Sequence, residues 1–591
     1  MRNTRATRNP KTTSRKKRRA EPSVQNEKGG RPIWSLPLPS KRILVFDFLL
    51  LTALGALLWL ATSGLWDLRG PDEGRYVQIS KELLSRSNWL QLTVFGEPYN
   101  QKPPLAFWFM ALSMKAFGGV VTSWALRLPA VLMGMGTVLL TYLLGRRGAA
   151  AGDERRTGMA AALILMTMPL FMENVPQAEL NVQFTFWITL SIWFWIKDLS
   201  RESASLLTVT GFWAALSAAF FTKGPLALLV VAAPLAGEAI AAKSWGPIRR
   251  MKPLIGFPAM ALLIAAWFYA ERVIYGAAFV SSQVGGETVG RLLQGDHAEP
   301  FWYYLPRLVT ALLPWSLLMP FAFRMVWRNQ QMPSLSEAQR PFWVWTLVPF
   351  VVLCLATGKR QAYLLPLLPP VAVLLGVWIV ASATKASEIL RRVNISVNAL
   401  LGFLSFAGLV VVAVAWFAPA IFMSRGFAVP NYAVWIWLVA SIFLLLVAVR
   451  NAALVPSAFG FPMAFRATVA LLFVFCLVRF TTVEKIIDPM KTTRPLAVRI
   501  DALKVPEIAA SDKASKPEYH VYGHYGVKEV NRRDQSQRDT LPNYFLIDSE
   551  EVPRYASFIE GMNYDWLENI DVSRDRLMLY QRRISSNAGG K

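Results

Sequence analysis

Cysteine is nearly missing: Cys354 and Cys476 are the only two in 591 residues, and each lies inside an apolar run. Two such thiols build neither a disulfide framework nor a thiolate metal site, so packing is their expected use. Glycine-rich phosphate loops are lacking too. There is no P-loop and no dinucleotide fingerprint. Gly134 and Gly136 sit in an apolar helix with no preceding strand, where small residues mark close helix packing. A nucleotide-borne activated sugar is therefore not the indicated donor. Charge is sparse and skewed to positive, at 17% of residues, with 63 Lys and Arg against 38 Asp and Glu for a formal +25. The positive residues are scattered over an amino-terminal tail and many short connections instead of forming one stripe, so no nucleic-acid partner is expected.

What the chain has in excess is apolar surface. Hydrophobic residues make up 54%, with 22 Trp and 35 Phe, more than water-soluble domains of ordinary size can hide. A hydrocarbon slab of about 30 Å takes roughly 20 helical residues, and lipid offers peptide groups no partners, so membrane helices are expected. The spans fall at about 43–65, 127–145, 158–173, 181–197, 204–221, 225–242, 254–274, 302–327, 341–357, 363–382, 396–420, 432–449 and 467–483. Residues 1–42 read as a disordered basic cytoplasmic tail near anionic headgroups, and no cleavable secretory signal is expected before the first span. The basic clusters around Lys16–Arg19, Arg146-Arg147, Arg155-Arg156, Arg249-Arg250, Arg391-Arg392 and Arg450 share one side if the span count is odd. That places the amino terminus in the cytoplasm and the carboxyl terminus outside.

With this topology the outer face receives the loop 66–126, the loop 275–301, the turn around Gly358–Ala362 and the segment 485–591, leaving 43–484 as the membrane part. Leu105–Phe117 is apolar but short for a crossing and reads as a helix in the interface. The carboxyl-terminal segment alternates in His520–Tyr525, Tyr544–Ile547 and Arg576–Gln581, expected strands, with helices near 494–503 and 552–560. The expected fold class is thus an all-α polytopic membrane protein of about thirteen transmembrane helices with a small C-terminal α/β extracytoplasmic domain. His520 and His524 have the spacing of a helical metal pair, but on a strand that spacing does not converge.

The most telling stretch is Gly70-Pro71-Asp72-Glu73-Gly74-Arg75-Tyr76, with Gln101-Lys102-Pro103-Pro104 on the same loop. Two adjacent carboxylates, an arginine and a lysine just beyond the first apolar run suit chemistry on a phosphate-bearing substrate at a membrane surface. A transporter or flippase, the competing class, places charges at mid-membrane in broken helices, whereas here Asp47 is the exception near one interface.

These residues resemble the polyprenyl-phosphate sugar transferases of the membrane C-type glycosyltransferase fold, the group holding the lipid A aminoarabinose transferase and the protein O-mannosyltransferases. The likeness runs through Leu65-Trp66, Pro71–Tyr76, Asn88-Trp89, Gly96–Pro104, Arg127-Leu128-Pro129, Thr222–Pro225, His297, Pro300–Pro306 and Tyr363–Pro366. It implies transfer of a sugar from an undecaprenyl or dolichyl phosphate carrier at the outer face of a bacterial inner membrane. The acceptor is a lipid A-like or other envelope glycan, with a secreted protein as the alternative.

By the resemblance, Asp72 is the key carboxylate, a general base for a hydroxyl acceptor or an electrostatic partner for a phosphate one. Glu73 beside it, grouped with Asp72 as a catalytic candidate, orients Arg75 or caps the short helix. Arg75, Tyr76 and Lys102 bind substrate, Tyr363 adds to the phosphate pocket, and Lys223 reaches towards the interface. Two departures stand out. Gln101 replaces a glutamate that in some relatives ligates a metal with a histidine at the position of His297, which leaves a divalent metal open and no cofactor firmly implied. Asn181 stands where relatives carry Asp, and Glu179 is expected to replace that charge and to bear on sugar or acceptor choice.

Overall fold

The computed structural model describes residues 41–583, except 87, 200–202, 284–298, 321–332, 384–387, 419, 421–430, 455–459, 489–490, 531–539 and 573–574. Helices dominate. Among the described residues six are long and apolar enough to cross a membrane, at 41–60, 123–148, 206–223, 253–275, 338–355 and 361–381. Shorter apolar helices cover 105–116, 226–241, 405–417, 437–450 and 471–483. The chain is an integral membrane protein whose long apolar runs are helical because only a helix satisfies its own peptide groups in lipid.

The first loop carries α2 (Pro71–Arg86), after α1 (Lys41–Gly55), and then the short hairpin β1 (Thr93–Val94) and β2 (Glu97–Pro98) before α3 (Leu105–Ala116). The long α4 (Ser123–Gly148) follows, then α5 (Glu154–Met166), α6 (Pro169–Asn174), α7 (Leu180–Lys197) and α8 (Leu206–Lys223). Two expected spans are broken. The 158–173 run ends at Met166 and restarts at Pro169, because proline has no N–H for a continuing helix but suits a first turn. The 302–327 run opens as short helices, Tyr304–Ala311 and then Trp315–Leu318 after Pro314, and its end lies outside the described residues.

Helix α4 packs against the end of α6 and against α7 through small residues. A Cβ on Gly134 would stand 2.7 Å from Val175 Cγ1, and one on Gly136 2.7 Å from Phe186 Cε2, so the expectation of close packing holds. Asp47 in α1 is fully buried, yet it accepts from the Tyr142 hydroxyl at 2.7 Å and from Arg155 Nη2 at 2.7 Å. That pairing ties α1 to α4 and α5 and removes the one residue that hinted at a transport path.

The C-terminal domain is a five-stranded sheet in the order β4-β3-β5-β7-β6, formed by β3 (Glu507–Ala510), β4 (Gly526–Glu529), β5 (Tyr544–Asp548), β6 (Tyr564–Val572) and β7 (Asp575–Arg582). β3 is parallel to β4 and β5, and β7 is antiparallel to β5 and β6. Alternation along β5 and β7 builds two cores: Leu546, Leu577 and Leu579 face the helix Arg494–Asp501, while Phe545, Ile547 and Tyr580 face the helix Val552–Gly561. The expected strand His520–Tyr525 is absent. Pro517 starts a short helix ending at His520, a turn follows, and the strand begins only at Gly526.

Candidate functional site

Gly70, at φ +83°, turns the chain so that Pro71 opens α2 with Asp72 and Glu73 in its first turn, where the helix dipole favours carboxylates. The two acids then part ways. Glu73 is buried, and its Oε1 accepts from Arg127 Nε at 2.8 Å and from the Ala178 N–H at 2.8 Å. Its Oε2 accepts from Arg127 Nη2 at 3.0 Å and from the Arg69 N–H at 2.9 Å. Arg127, 1% exposed, gives its remaining donors to the carbonyls of Ser63 at 2.8 Å, Trp66 at 3.0 Å and Asp67 at 2.9 Å. All the donors a guanidinium owns are thereby used. Glu73 thus braces the turn that precedes α2, and its cation is Arg127, not Arg75, which donates to Gln101 instead.

Asp72, by contrast, is only partly covered, and its Oδ2 accepts from Arg360 Nη1 at 3.3 Å. Arg360 is placed by its neighbours: the Tyr304 hydroxyl lies 3.3 Å from both its N–H and its carbonyl. Lys359, buried, donates to the Glu299 carbonyl at 2.8 Å and to the Ala356 carbonyl. Arg75 Nη1 donates to Gln101 Oε1 at 3.0 Å, so the amide that departs from the family pattern holds a phosphate-binding candidate in position.

Across the cluster, Lys223 Nζ donates to Asn181 Oδ1 at 2.6 Å and lies 4.8 Å over the Tyr363 ring. It is close enough to Lys102, Glu179, Arg360 and Asp72 for direct charge interaction. Asn181 Nδ2 in turn donates to Glu179 Oε2. Burial, reinforced by the carboxylates of Asp72 and Glu73, pushes the Glu179 carboxyl up to about 7. Tyr76 is buried with its ring 5.4 Å from Phe107, its phenol pushed well above the usual range by burial and by Tyr99, Asp72 and Glu179. Asp72, Arg75, Tyr76, Lys102, Glu179 and Tyr363 therefore share one neighbourhood. His297 lies outside the described residues. Sequence reasoning gave Arg360 and Lys223 too little weight, since a cation at a span end usually anchors at the interface; for Arg360 the adjoining Tyr363-Leu364-Leu365-Pro366 motif was the available signal.

The C-terminal domain grips the helix that carries Asp72. A Cβ on Gly74 would lie 2.5 Å from Glu518 Cα, so glycine is what permits this contact. Lys81 Nζ donates to the carbonyls of Val521 at 3.2 Å and Gly523 at 2.9 Å, and the Leu68 N–H donates to the Tyr522 hydroxyl at 2.6 Å. Asp67 pairs with Arg494 at 2.8 Å. His520 and His524 do not converge: His520 is buried against Ala514 and Tyr525, and His524 bonds Asp501 at 2.9 Å. Among the described residues no three His, Cys, Asp or Glu side chains are grouped to hold a metal.

Comparison with known proteins fits this arrangement. Residues 101–269 match the family described as dolichyl-phosphate-mannose-protein mannosyltransferase. The undecaprenyl phosphate-alpha-4-amino-4-deoxy-L-arabinose arabinosyl transferase of Pseudomonas paraeruginosa is 33% identical over 61% of this chain and 64% of its own length. Its counterpart in Pseudomonas aeruginosa is 34% identical over the same shares, so the chain spans somewhat less than two thirds of these relatives. The crystal structure of ArnT from Cupriavidus metallidurans bound to undecaprenyl phosphate superposes with a TM-score of 0.69 at 17% identity, covering 92% of this chain and 99% of that one. The apo form of the same protein gives 0.67 at 18% identity, covering 90% and 97%. In sequence the chain is thus similar to undecaprenyl phosphate-aminoarabinose arabinosyl transferases, and in fold to ArnT.

Proposed function

We propose that this protein is a membrane glycosyltransferase that moves a monosaccharide from a polyprenyl-phosphate carrier to a lipid A-like or other envelope acceptor. One observation carries the reading: a partly exposed carboxylate, Asp72, pairs with Arg360 beside Arg75, Lys102 and Lys223, cations drawn from separate parts of the chain. In the reaction the bond from the anomeric carbon to the carrier phosphate breaks and one to the acceptor oxygen forms. Negative charge grows on the leaving phosphate, and cations already held in place stabilise it without reorganising. Arg75, kept in position by Gln101, grips phosphate oxygens bidentately, and Lys102 and Lys223 act as point charges.

Arg360 holds Asp72 at rest and transfers its contact to the incoming phosphate, which releases the carboxylate. Asp72 then takes the proton of a hydroxyl acceptor, or steadies the cationic sugar if the acceptor is an ionised phosphate. Glu179, through Asn181, sets the position of Lys223. The relatives' names favour an undecaprenyl-phosphate-linked aminoarabinose as donor. The protein-mannosyltransferase likeness supports a protein acceptor as the second reading.

We place the site and the domain 485–591 on the outer face of a bacterial inner membrane, with residues 1–42 cytoplasmic and about thirteen spans within 43–484. The distribution of basic clusters supports this topology. Transfer assays on membrane-inserted Asp72→Asn, Arg75→Ala and Lys102→Ala variants test the reading: loss of product with normal insertion is expected, and full retained activity overturns it.

A further inference from the structure

Glu82 lies in α2, two turns past Arg75, and no step of the proposed transfer uses it. Positions 75, 78 and 82 recur at the helical period, so one face of α2 carries Arg75, Gln78 and Glu82 in a row about 10 Å long. The Glu82 carboxylate is buried and collects donors from the β1-β2 hairpin. Its Oε1 accepts from the Phe95 N–H at 2.6 Å and from Gln78 Nε2 at 2.8 Å. Its Oε2 accepts from the Gly96 N–H at 3.2 Å and from the Thr93 hydroxyl, and Arg86 Nη2 stands 3.8 Å away.

The hairpin needs that support. It pairs only Thr93 with Pro98 and Val94 with Glu97, and proline gives the ladder no N–H. A two-stranded ribbon of ordinary length is marginal on its own, and this one is far shorter. Both central residues of its turn have positive φ, Phe95 at +52° and Gly96 at +87°, as a type I′ turn requires. For phenylalanine that conformation is unfavourable, and something outside the turn must hold it. The two successive N–H groups form a concave nest for an anion, and Glu82 supplies the anion. Tyr99 closes the base of the hairpin, its N–H donating to the Leu92 carbonyl at 2.8 Å.

From that base Asn100, Gln101 and Lys102 follow directly. Because Gln101 accepts from Arg75 at 3.0 Å, this connection is fastened to one face of α2 at two points, Glu82 at the turn and Arg75 at the far end. We infer that Glu82 is a positioning residue of the transfer site: by fixing the hairpin turn it sets where Gln101 holds Arg75 and where Lys102 stands beside Lys223. The inference rests on the glycosyltransferase reading, in which Arg75 and Lys102 bind the carrier phosphate. Cations held in place stabilise the leaving phosphate only at the right separation, and a misplacement of about 1 Å is enough to cost rate.

The test uses the full chain in nanodiscs, with undecaprenyl phosphate binding and transfer kinetics measured per folded molecule. Glu82→Gln keeps the side chain's length but sets an amide donor among backbone donors. It is expected to weaken carrier binding, and to raise the KM for the sugar donor, by about tenfold, with the KM for lipid A as acceptor unchanged. Thr93→Val removes one donor, leaves the carboxylate in place and shifts the same two quantities by a smaller factor; it carries the test if Glu82→Gln does not fold. In a Lys102→Ala background Glu82→Gln adds a smaller loss of carrier affinity than it does alone, whereas a purely structural role multiplies the two losses in full. Full multiplication overturns the inference, as does a lowered melting temperature in both variants with carrier affinity unchanged, or an equal rise in the acceptor KM. If the unaltered protein neither binds the carrier nor transfers sugar, the glycosyltransferase reading fails and takes the inference with it; unchanged affinity in the variants alone sinks only the inference.

Discussion

Asp72 and Glu73 are adjacent acids in the first turn of one helix, and the protein uses them in opposite ways. Glu73 is turned inward, where Arg127 and two backbone N–H groups satisfy it and knit the first loop to α4 and the start of α7. Asp72 faces an open cationic cluster and holds one long contact to Arg360. A buried carboxylate with a complete set of partners has no capacity left for a substrate; one whose hydrogen-bond partner among the described residues is a single exchangeable side chain does. The lesson is that in a paired-acid motif, chemistry belongs to the member the fold leaves under-satisfied.

The sharpest way to break the comparison is Arg127→Met. It strands Glu73 without its cation, and a loss of about 3–5 kcal/mol is expected, read as thermal unfolding of detergent-solubilised protein. Asp72→Asn is expected to leave the unfolding temperature in place and lower transfer by about a hundredfold or more in a product assay. If the two variants exchange these phenotypes, the assignment of roles is reversed.

A smaller effect comes from the outer support. Gly74→Ala drives a methyl group into the Glu518 backbone and is expected to cost about 1–3 kcal/mol, with faster proteolytic release of the C-terminal domain and reduced transfer. The smallest effect concerns Glu179. Its carboxyl, raised from 4.5 to about 7, binds more protons in the folded than in the unfolded chain. Its stabilising contribution is complete below 4.5 and is lost as pH rises through about 7. Melting curves across that window should show a decline that Glu179→Gln flattens.

Much of this was legible in the residues. Apolar run length forecast helices throughout, and period-two alternation found β5 and β7. Three strands of this sheet escaped: β3 is only Glu507-Ile508-Ala509-Ala510, β4 begins at Gly526, just past the run read as a strand, and a register shift between Trp566 and Glu568 breaks the alternation of β6. Prolines at 169 and 314 cut runs that hydrophobicity alone reads as continuous. Within the site, the first-loop motif singled out Asp72, Arg75 and Lys102. The resemblance set Asp72 ahead of Glu73, but the cation that turns Glu73 inward was not found, because Arg127 lies on another helix. Lys223 and Arg360 were undervalued for the same reason: long-range pairing, not local pattern, gives them their place.

The central claim is most directly tested by incubating purified protein with undecaprenyl-phosphate-linked aminoarabinose and extracted envelope lipids, then seeking the product by mass spectrometry. A new covalent sugar–acceptor product, absent with Asp72→Asn although that variant still binds undecaprenyl phosphate, is the predicted result. Product formed at the normal rate by Asp72→Asn, or carrier moved across the bilayer with no new bond, would contradict it.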